Sequence, residues 1–303
     1  MKYAIGIDIG AAKIKGVLAG GAGKILACLE IPTGAKRKRA AILRDILKFI
    51  DCLKGEAEVR GLKLEGIGVG VPGTIKAGKL VFGGGTLKQF VGVDFKNLIQ
   101  KKTGLKTALE NDSAVFVSAE SYFGAGKNFD RVAGVIWGSG IGGGILDKNN
   151  RPRVPARAVE IGHFIVEPDI KNEPKCGCGK RGCAENLASG KNIVRRYYAR
   201  GGKMKNAGVR EIYFSKEKAA RKVLDDAYGY LGRAIAVFVD IINPDIIVIG
   251  GGVSNLPEPA YQKLREYSRR HLVKMPAKKL KITRSKLGNF SGALGAAMLL
   301  LAR

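Results

Sequence analysis

Three cysteines and a histidine within one short stretch constrain this chain more than any other feature. Residues 160–185 read E-I-G-H-F-I-V-E-P-D-I-K-N-E-P-K-C-G-C-G-K-R-G-C-A-E. Cys176, Cys178 and Cys183 follow His163, and three thiolates with one imidazole complete a tetrahedral N/S set for Zn2+ that leaves no position for a water. The spacing predicts a structural zinc loop that presents the carboxylates of Glu160 and Glu185 at its two edges.

Composition narrows what surrounds that loop. At 303 residues and 46% hydrophobic content the chain can bury a real core, which excludes a disordered or minimal scaffold. Five cysteines, three of them in the one loop, do not make a disulfide framework; Cys28 and Cys52 are expected in apolar surroundings, and a reducing, cytoplasmic compartment fits. The N-terminus lacks a signal-peptide pattern, and the longest uncharged apolar stretch, 292–302, is too short to span a bilayer. The net charge of +27 attracts polyanions. It is spread through K-R-K-R at 36–39, R-R-Y-Y-A-R at 195–200 and K-K-L-K at 278–281, with no recognised nucleic-acid-binding signature beside it. A general basic bias plus attraction of an anionic cosubstrate is the favoured reading; nucleic acid is the other.

Along the chain, residues 3–9 alternate as a strand, Gly10 turns, and a second strand resumes at 13–18. Asp8 stands at the end of the first strand beside a tight turn. Either it holds a Mg2+ hydration shell while backbone N–H groups from Gly10 to Lys13 face phosphate oxygens, or it is a solvated aspartate of an ordinary hairpin. A strand at 24–31, an amphipathic helix at 40–53, a strand at 64–71, an irregular glycine-rich loop at 78–93, a helix at 95–102 and a strand at 106–109 follow. At Glu110-Asn111-Asp112-Ser113 a strand passes into a helix over 114–122. Asp112 or Ser113 is the expected N-cap, and Asp112 is also placed to act as a general base.

A strand at 131–137 leads into Gly138-Ser139-Gly140-Ile141-Gly142-Gly143-Gly144, read as a turn before a strand at 145–147. Its glycines remove side chains where phosphates approach and Ser139 adds a donor, although a nonfunctional glycine turn has the same composition. Helices near 191–199 and over 215–242 come next, the second ended by Asn243-Pro244. The strand of D-I-I-V-I-G-G-G-V-S at 245–254 opens on Gly250, Gly251 and Gly252, suited to a base and ribose lying against backbone. A helix at 257–272, a strand at 280–284 and an apolar helix at 291–301 close the chain, and His271 reads as a solvated face residue. The second half repeats the β-β-β-α-β-α order of the first without clear sequence identity.

These pieces in this order resemble the ROK family of sugar kinases and related repressors, within the actin-like, hexokinase-like ATPase superfamily. The resemblance rests on D-I-G-A-A-K near the start, E-N-D at 110–112, the 138–144 run, E-I-G-H at 160–163, C-G-C-G-K-R-G-C-A-E at 176–185 and N-P-D-I-I-V-I-G-G-G-V-S at 243–254. It runs along nearly the whole chain, and the zinc segment preceded by E-x-G-H is its most diagnostic part.

The resemblance implies an α/β, two-lobed actin-like ATPase (ribonuclease H-like) fold with duplicated β-β-β-α-β-α units and a zinc-binding loop. Residues 1–110, completed by the C-terminal helix 290–303, are the expected first lobe; 111–289, with the zinc loop 163–183, the second. A glucokinase-like activity follows: ATP-dependent phosphorylation of glucose or a related hexose or N-acetylhexosamine, with Asp112 as the base. ATP and Mg2+ are expected at Asp8, Gly10, Lys13, Gly138, Ser139, Gly140, Gly142, Gly250, Gly251 and Gly252. The hexose is expected at Asn111, Asp112, Glu160, His163 and Glu185. His163 would serve twice, holding structural Zn2+ with Cys176, Cys178 and Cys183 through one nitrogen and meeting a sugar hydroxyl through the other. A homodimer is implied, and no membrane partner.

The family pattern is altered in three places, one of them Val159, where the usual A-G-E-I-G-H has a glycine. The first turn reads Gly10-Ala11-Ala12 where G-G-T is usual, which removes a hydroxyl, adds a Cβ beside phosphate and is expected to weaken ATP binding. Thr86-Leu87 replaces an N-L pair, which leaves the preferred hexose open. Family repressors carry an N-terminal winged helix, whereas the glycine hairpin here begins within ten residues of Met1, so an enzyme is favoured. A catalytically weak or inactive sugar-binding or regulatory protein, with nucleic acid as a partner, is the alternative.

Overall fold

The period-two alternation of the opening residues sorts side chains onto two faces of a strand, and both faces are covered. In the computed structural model, which describes residues 1–83, 85–148, 157–273 and 281–301, β1 (Tyr3–Ile9) is the middle strand of a five-stranded sheet. Its neighbours are β2 (Lys13–Gly20), then β3 (Ile25–Pro32) at one edge. After α1 (Arg39–Val59), β4 (Leu64–Val71) joins the other side of β1, parallel to it. A small hairpin of β5 (Thr74–Lys76) and β6 (Lys79–Phe82) and then α2 (Phe95–Thr103) lead to β7 (Thr107–Asn111), parallel to β4, and α3 (Asp112–Tyr122). The stretch 78–93, expected to be irregular, thus holds a strand and a 3-10 turn at Gly85–Phe90, because Leu80 is buried and pairs with Ile75.

A second sheet is built from β8 (Arg131–Trp137), β9 (Ile141–Asp147) and β10 (Arg157–Val159). The helices α4 (Ala184–Ala188), α5 (Gly190–Ala199), α6 (Val209–Phe214) and α7 (Lys218–Ile242) follow. Then come β11 (Ile246–Gly250), α8 (Glu258–His271), β12 (Lys281–Arg284) and α9 (Ser291–Leu301). The strand orders, β3-β2-β1-β4-β7 and β10-β9-β8-β11-β12, are equivalent, so the repeated order read in the sequence is a repeated sheet. Long helix α7 stops where expected: Asn243 takes the left-handed conformation (φ 47°) as its C-cap, with Pro244 next.

Two compact units divide the contacts. One comprises Met1–Asn128, Ile145–Ala158 and Lys286–Arg303; the other Phe129–Gly144 and Val159–Ser285. In the first, Ile5, Ile7 and Ile9 of β1 pack with Ile42, Ile46 and Ile50 of α1. The alternate residues Ala4, Gly6 and Asp8 therefore point to the other face, where α9 lies. A Cβ on Gly6 would come within 1.9 Å of the Ala293 carbonyl, so the bare backbone is what lets α9 approach the sheet. In the second unit, β8 and β11 pack against α7 through Val135, Trp137, Ile247, Ile249, Tyr228 and Leu231.

Candidate active site

In the second unit the zinc-type ligands converge. Chain 164–166 runs antiparallel to 182–184, tied by Val166 N to Gly182 O at 2.8 Å and Ala184 N to Phe164 O at 3.0 Å, and a tight turn closes Cys176 N onto Lys180 O at 2.7 Å. The ligand atoms of His163, Cys176, Cys178 and Cys183 all lie within 4.8 Å of one another. Cys176 Sγ is 3.6 Å from His163 Nδ1, and Cys178 Sγ is 3.6 Å from Cys183 Sγ. Those separations are far too long for a disulfide and close to the edges of a tetrahedron with Zn–S near 2.3 Å. The residues therefore fit a structural zinc. Burial pushes the Cys183 thiol up to about 12 and raises Cys176, so binding a cation here would displace protons from both.

The stem of this loop is anchored by ions that the spacing did not reveal. Glu173 receives Arg196 Nε at 2.9 Å and Arg195 at 2.5 Å; Arg196, 2% exposed, also donates to Asp226 at 3.1 Å and the Leu187 carbonyl at 3.0 Å. Arg200 adds a second cation to Asp226 at 2.6 Å, and Asn186 Nδ2 holds the Pro174 carbonyl at 2.7 Å. R-R-Y-Y-A-R is therefore an ion-paired strut with Arg196 buried at its centre.

Zinc side and outer side of the loop share His163. With Nδ1 toward Cys176, Nε2 faces outward, 3.9 Å from the Glu160 carboxylate, whose side chain is exposed. Glu185 sits in α4 directly after Cys183-Ala184. Its Oε2 accepts from Ile141 N at 3.0 Å and its Oε1 lies 3.7 Å from Lys191 Nζ. A Cβ at Gly140 would fall 2.7 Å from that same carboxylate, so the glycine is what admits Glu185 to the turn. The zinc loop and the Gly138–Gly140 turn are thereby joined through one side chain.

That turn closes with Gly138 N on Gly140 O at 3.0 Å, and the first amide of α5, Gly190 N, donates to Gly138 O at 2.8 Å. Gly250, Gly251 and Gly252 come up beside it: a Cβ on Gly138 would be 3.8 Å from Gly252 N. Gly251 needs its φ of 90° and would drive a side chain into the Trp137 backbone. The expected extent of the first turn is corrected: Ile141, Gly142, Gly143 and Gly144 belong to β9, because extended glycine backbone joins a sheet ladder like any other. The turn proper is Gly138-Ser139-Gly140, and Gly142 is a strand residue.

In the first unit, Gly10 N bonds Lys13 O at 3.0 Å to form the hairpin turn. Buried Thr33, from just beyond β3, donates its hydroxyl to Gly10 O at 2.6 Å, and its amide to Ala12 O at 3.0 Å. Lys13 is paired with Glu30 across β2–β3, which lowers the Glu30 carboxyl below its ordinary range.

Asp8 lies on the α9 face, where a side chain at Gly292 would meet its carboxylate at 2.7 Å. Burial, then the charge of Asp112, raise its pKa to about 7 against the opposing pull of Lys15. Asp112 is the first residue of α3, and its carboxylate accepts from Ser113 N at 2.8 Å. The expected cap is corrected: Asn111, extended at the end of β7 (φ −64°, ψ 142°), caps α3 by accepting from Ser113 N and Ala114 N. Asn111 Nδ2 is used as well, on the Gly73 carbonyl at 3.0 Å. Asp112 is partly exposed at the first position of the helix.

Three supporting residues have no sequence motif. Thr33 and Glu173 are named above; the third is Glu120, fully buried near the end of α3, which accepts from Ala125 N at 2.9 Å, Lys286 N at 3.2 Å and Ser291 Oγ at 2.8 Å. A lone acidic residue inside an apolar helical run is the one signal that could have flagged Glu120. Cys28 and Cys52, expected in apolar surroundings, are exposed, and His271 is exposed at the end of α8 as expected. Arg37 of the 36–39 cluster pairs with Asp45 at 2.7 Å. Residues 278–280 of the third basic cluster and the Thr86 side chain lie outside the described residues. Among the described residues no helix is long and apolar enough to cross a membrane.

The chain is similar along its whole length to known proteins. The model of the ROK family matches residues 4–303. The glucokinase of Thermotoga maritima is 32% identical over 321 aligned positions, covering 99% of this chain and 97% of that protein. The xylose repressor of Bacillus subtilis is 26% identical, with 99% of this chain and 77% of the repressor covered. The crystal structure of a ROK family glucokinase from Streptomyces griseus in complex with glucose and AMPPNP superposes with a TM-score of 0.83 at 27% identity, over 98% of both chains. On the match of its family model along nearly its whole length, this chain belongs to the ROK family.

Proposed function

We propose that this chain is an ATP-dependent, glucokinase-like sugar kinase that transfers the γ-phosphate of ATP to a hydroxyl of glucose or a related hexose or N-acetylhexosamine. The observation that carries the assignment of roles is the pairing of Asp112, partly exposed at the start of α3, with Asp8 at the end of β1. Asp112 takes the proton of the attacking hydroxyl; that oxygen bonds the γ-phosphorus as the bond to the β–γ bridging oxygen breaks, and ADP leaves. The full-length likeness to the Thermotoga and Streptomyces glucokinases supports the reaction class.

The remaining residues divide by chemistry. Asn111, Asp112, Glu160, His163 and Glu185 are the polar groups offered to the hexose. Gly10 and Lys13, and Gly138, Ser139, Gly140, Gly250, Gly251 and Gly252, offer backbone and small polar groups to the nucleotide. Asp8 would hold Mg2+, which neutralises phosphate charge when bound. His163, Cys176, Cys178 and Cys183 would hold zinc and keep the His163 ring oriented toward substrate. Homodimer formation and a cytoplasmic location complete the proposal.

A weakly active or inactive regulatory protein is the second reading, and Ala11 and Ala12 in the first turn are what favour it. The engagement of Arg195, Arg196 and Arg200 in ion pairs with Glu173 and Asp226 weighs against its nucleic-acid version. An ADP-release assay across a panel of hexoses and N-acetylhexosamines decides between them. At least one sugar is expected to be turned over; silence across the panel would favour the regulatory protein.

A further inference from the structure

We propose that Lys191 is a cationic contact for the phosphate chain of the nucleotide, an inference that rests on the kinase reading above. Phosphoryl transfer is driven mainly by positioning and by neutralising charge on the transferred group. The lysine nearest the first glycine turn by sequence, Lys13, is occupied by Glu30, and Ala12 offers no hydroxyl. Beyond the Mg2+ proposed at Asp8, a side-chain cation at the other glycine turn would neutralise phosphate charge further.

Lys191 is placed for it. Its neighbour Gly190 donates to the Gly138 carbonyl at 2.8 Å, so the first turn of α5 rests directly on the Gly138–Gly140 turn. Lys191 Nζ lies 3.7 Å from Glu185 Oε1, while Glu185 Oε2 lies 3.0 Å from Ile141 N at the exit of that turn. The side chain is half exposed, which leaves its ammonium able to turn toward a ligand. A lysine in the first turn of a helix opposes the helix dipole, and α5 carries no acidic residue there to offset it. Two anions resolve the conflict: Glu185 in the free protein and phosphate in the complex. Lys191 is thus a phosphate ligand held ready by a carboxylate that itself braces the turn.

Lys191→Met, Lys191→Arg and wild type test this by steady-state kinetics with ATP and hexose varied separately. Nucleotide binding is read in parallel from the emission of Trp137, the chain's one tryptophan, directly before Gly138. Lys191→Met is expected to raise the KM for ATP about tenfold or more, the usual weight of a charge-assisted contact, with a much smaller change in hexose KM. Lys191→Arg should recover most of the loss. An ATP KM within about twofold of wild type, or a hexose KM that moves as much as the ATP KM, overturns the assignment. The latter result would mean that Lys191 serves only Glu185. A wild-type protein without turnover overturns the kinase reading instead; unchanged ATP binding by Trp137 emission in Lys191→Met overturns this inference alone.

Discussion

Asp8, at the end of β1, and Asp112, at the first position of α3, repel one another: the charge of Asp112 adds to burial in lifting the Asp8 carboxyl from 3.8 to about 7. Two carboxylates gathered at the end of β1 and the start of α3 suit a cation, and the cost of their repulsion is borne in the cation-free protein.

That cost has a pH signature. Because Asp8 binds a proton more tightly when folded, its contribution to stability is present below about pH 4 and is lost as pH rises toward about 7. Three pKa units correspond to at most about 4 kcal/mol. Asp8→Asn is expected to be more stable than wild type at pH 8, with the gap closing by pH 4.5, while binding Mg-ATP more weakly. Urea denaturation of both proteins at the two pH values reads the effect; a gap that does not change with pH contradicts it.

Zinc should be stoichiometric and stabilising. Elemental analysis is expected to find about one zinc per chain, and chelation to destabilise the protein strongly, since sites of this type contribute on the order of 10 kcal/mol in small domains. Cys183→Ser, which removes a fully buried ligand, should lose the metal. Metal-free protein with an unchanged melting transition would exclude the site.

Arg196 holds the stem of the zinc loop from 23 residues away. Arg196→Met leaves Glu173 and Asp226 with one partner each, Arg195 and Arg200, so the loss should fall at about 3 kcal/mol, the lower end for breaking a buried pair. Chemical denaturation measures it, and the variant should also release zinc more readily to a competing chelator. A loss below about 1 kcal/mol would mean that the surface arginines carry the strut alone.

The features legible in the sequence were those that local chemistry dictates. Cysteine spacing, glycines after apolar runs, the Asn243-Pro244 stop and the alternation of β1 depend on neighbours a few residues away, and the structure has them where they were expected. Features set by distant partners were not legible. Thr33 reaches Gly10 from another strand, Glu185 reaches Ile141 from α4, and Glu120 meets Ser291 across 171 residues. Two local readings failed for the same reason. Gly142–Gly144 looked like a turn until a sheet claimed them, and Asp112 looked like a cap until the end of β7 placed Asn111 there instead. That second shift matters for function, because it separates the residue that caps the helix, Asn111, from the residue assigned to proton transfer, Asp112.

The most direct test of the account is phosphohexose formation by Asp112→Asn beside wild type, on the best sugar from the panel, with thermal unfolding recorded on the same samples. The account predicts an unfolding transition no lower than that of wild type and a fall in turnover of at least about a hundredfold, the least that removing a general base costs. Turnover within about tenfold of wild type in folded Asp112→Asn would contradict it.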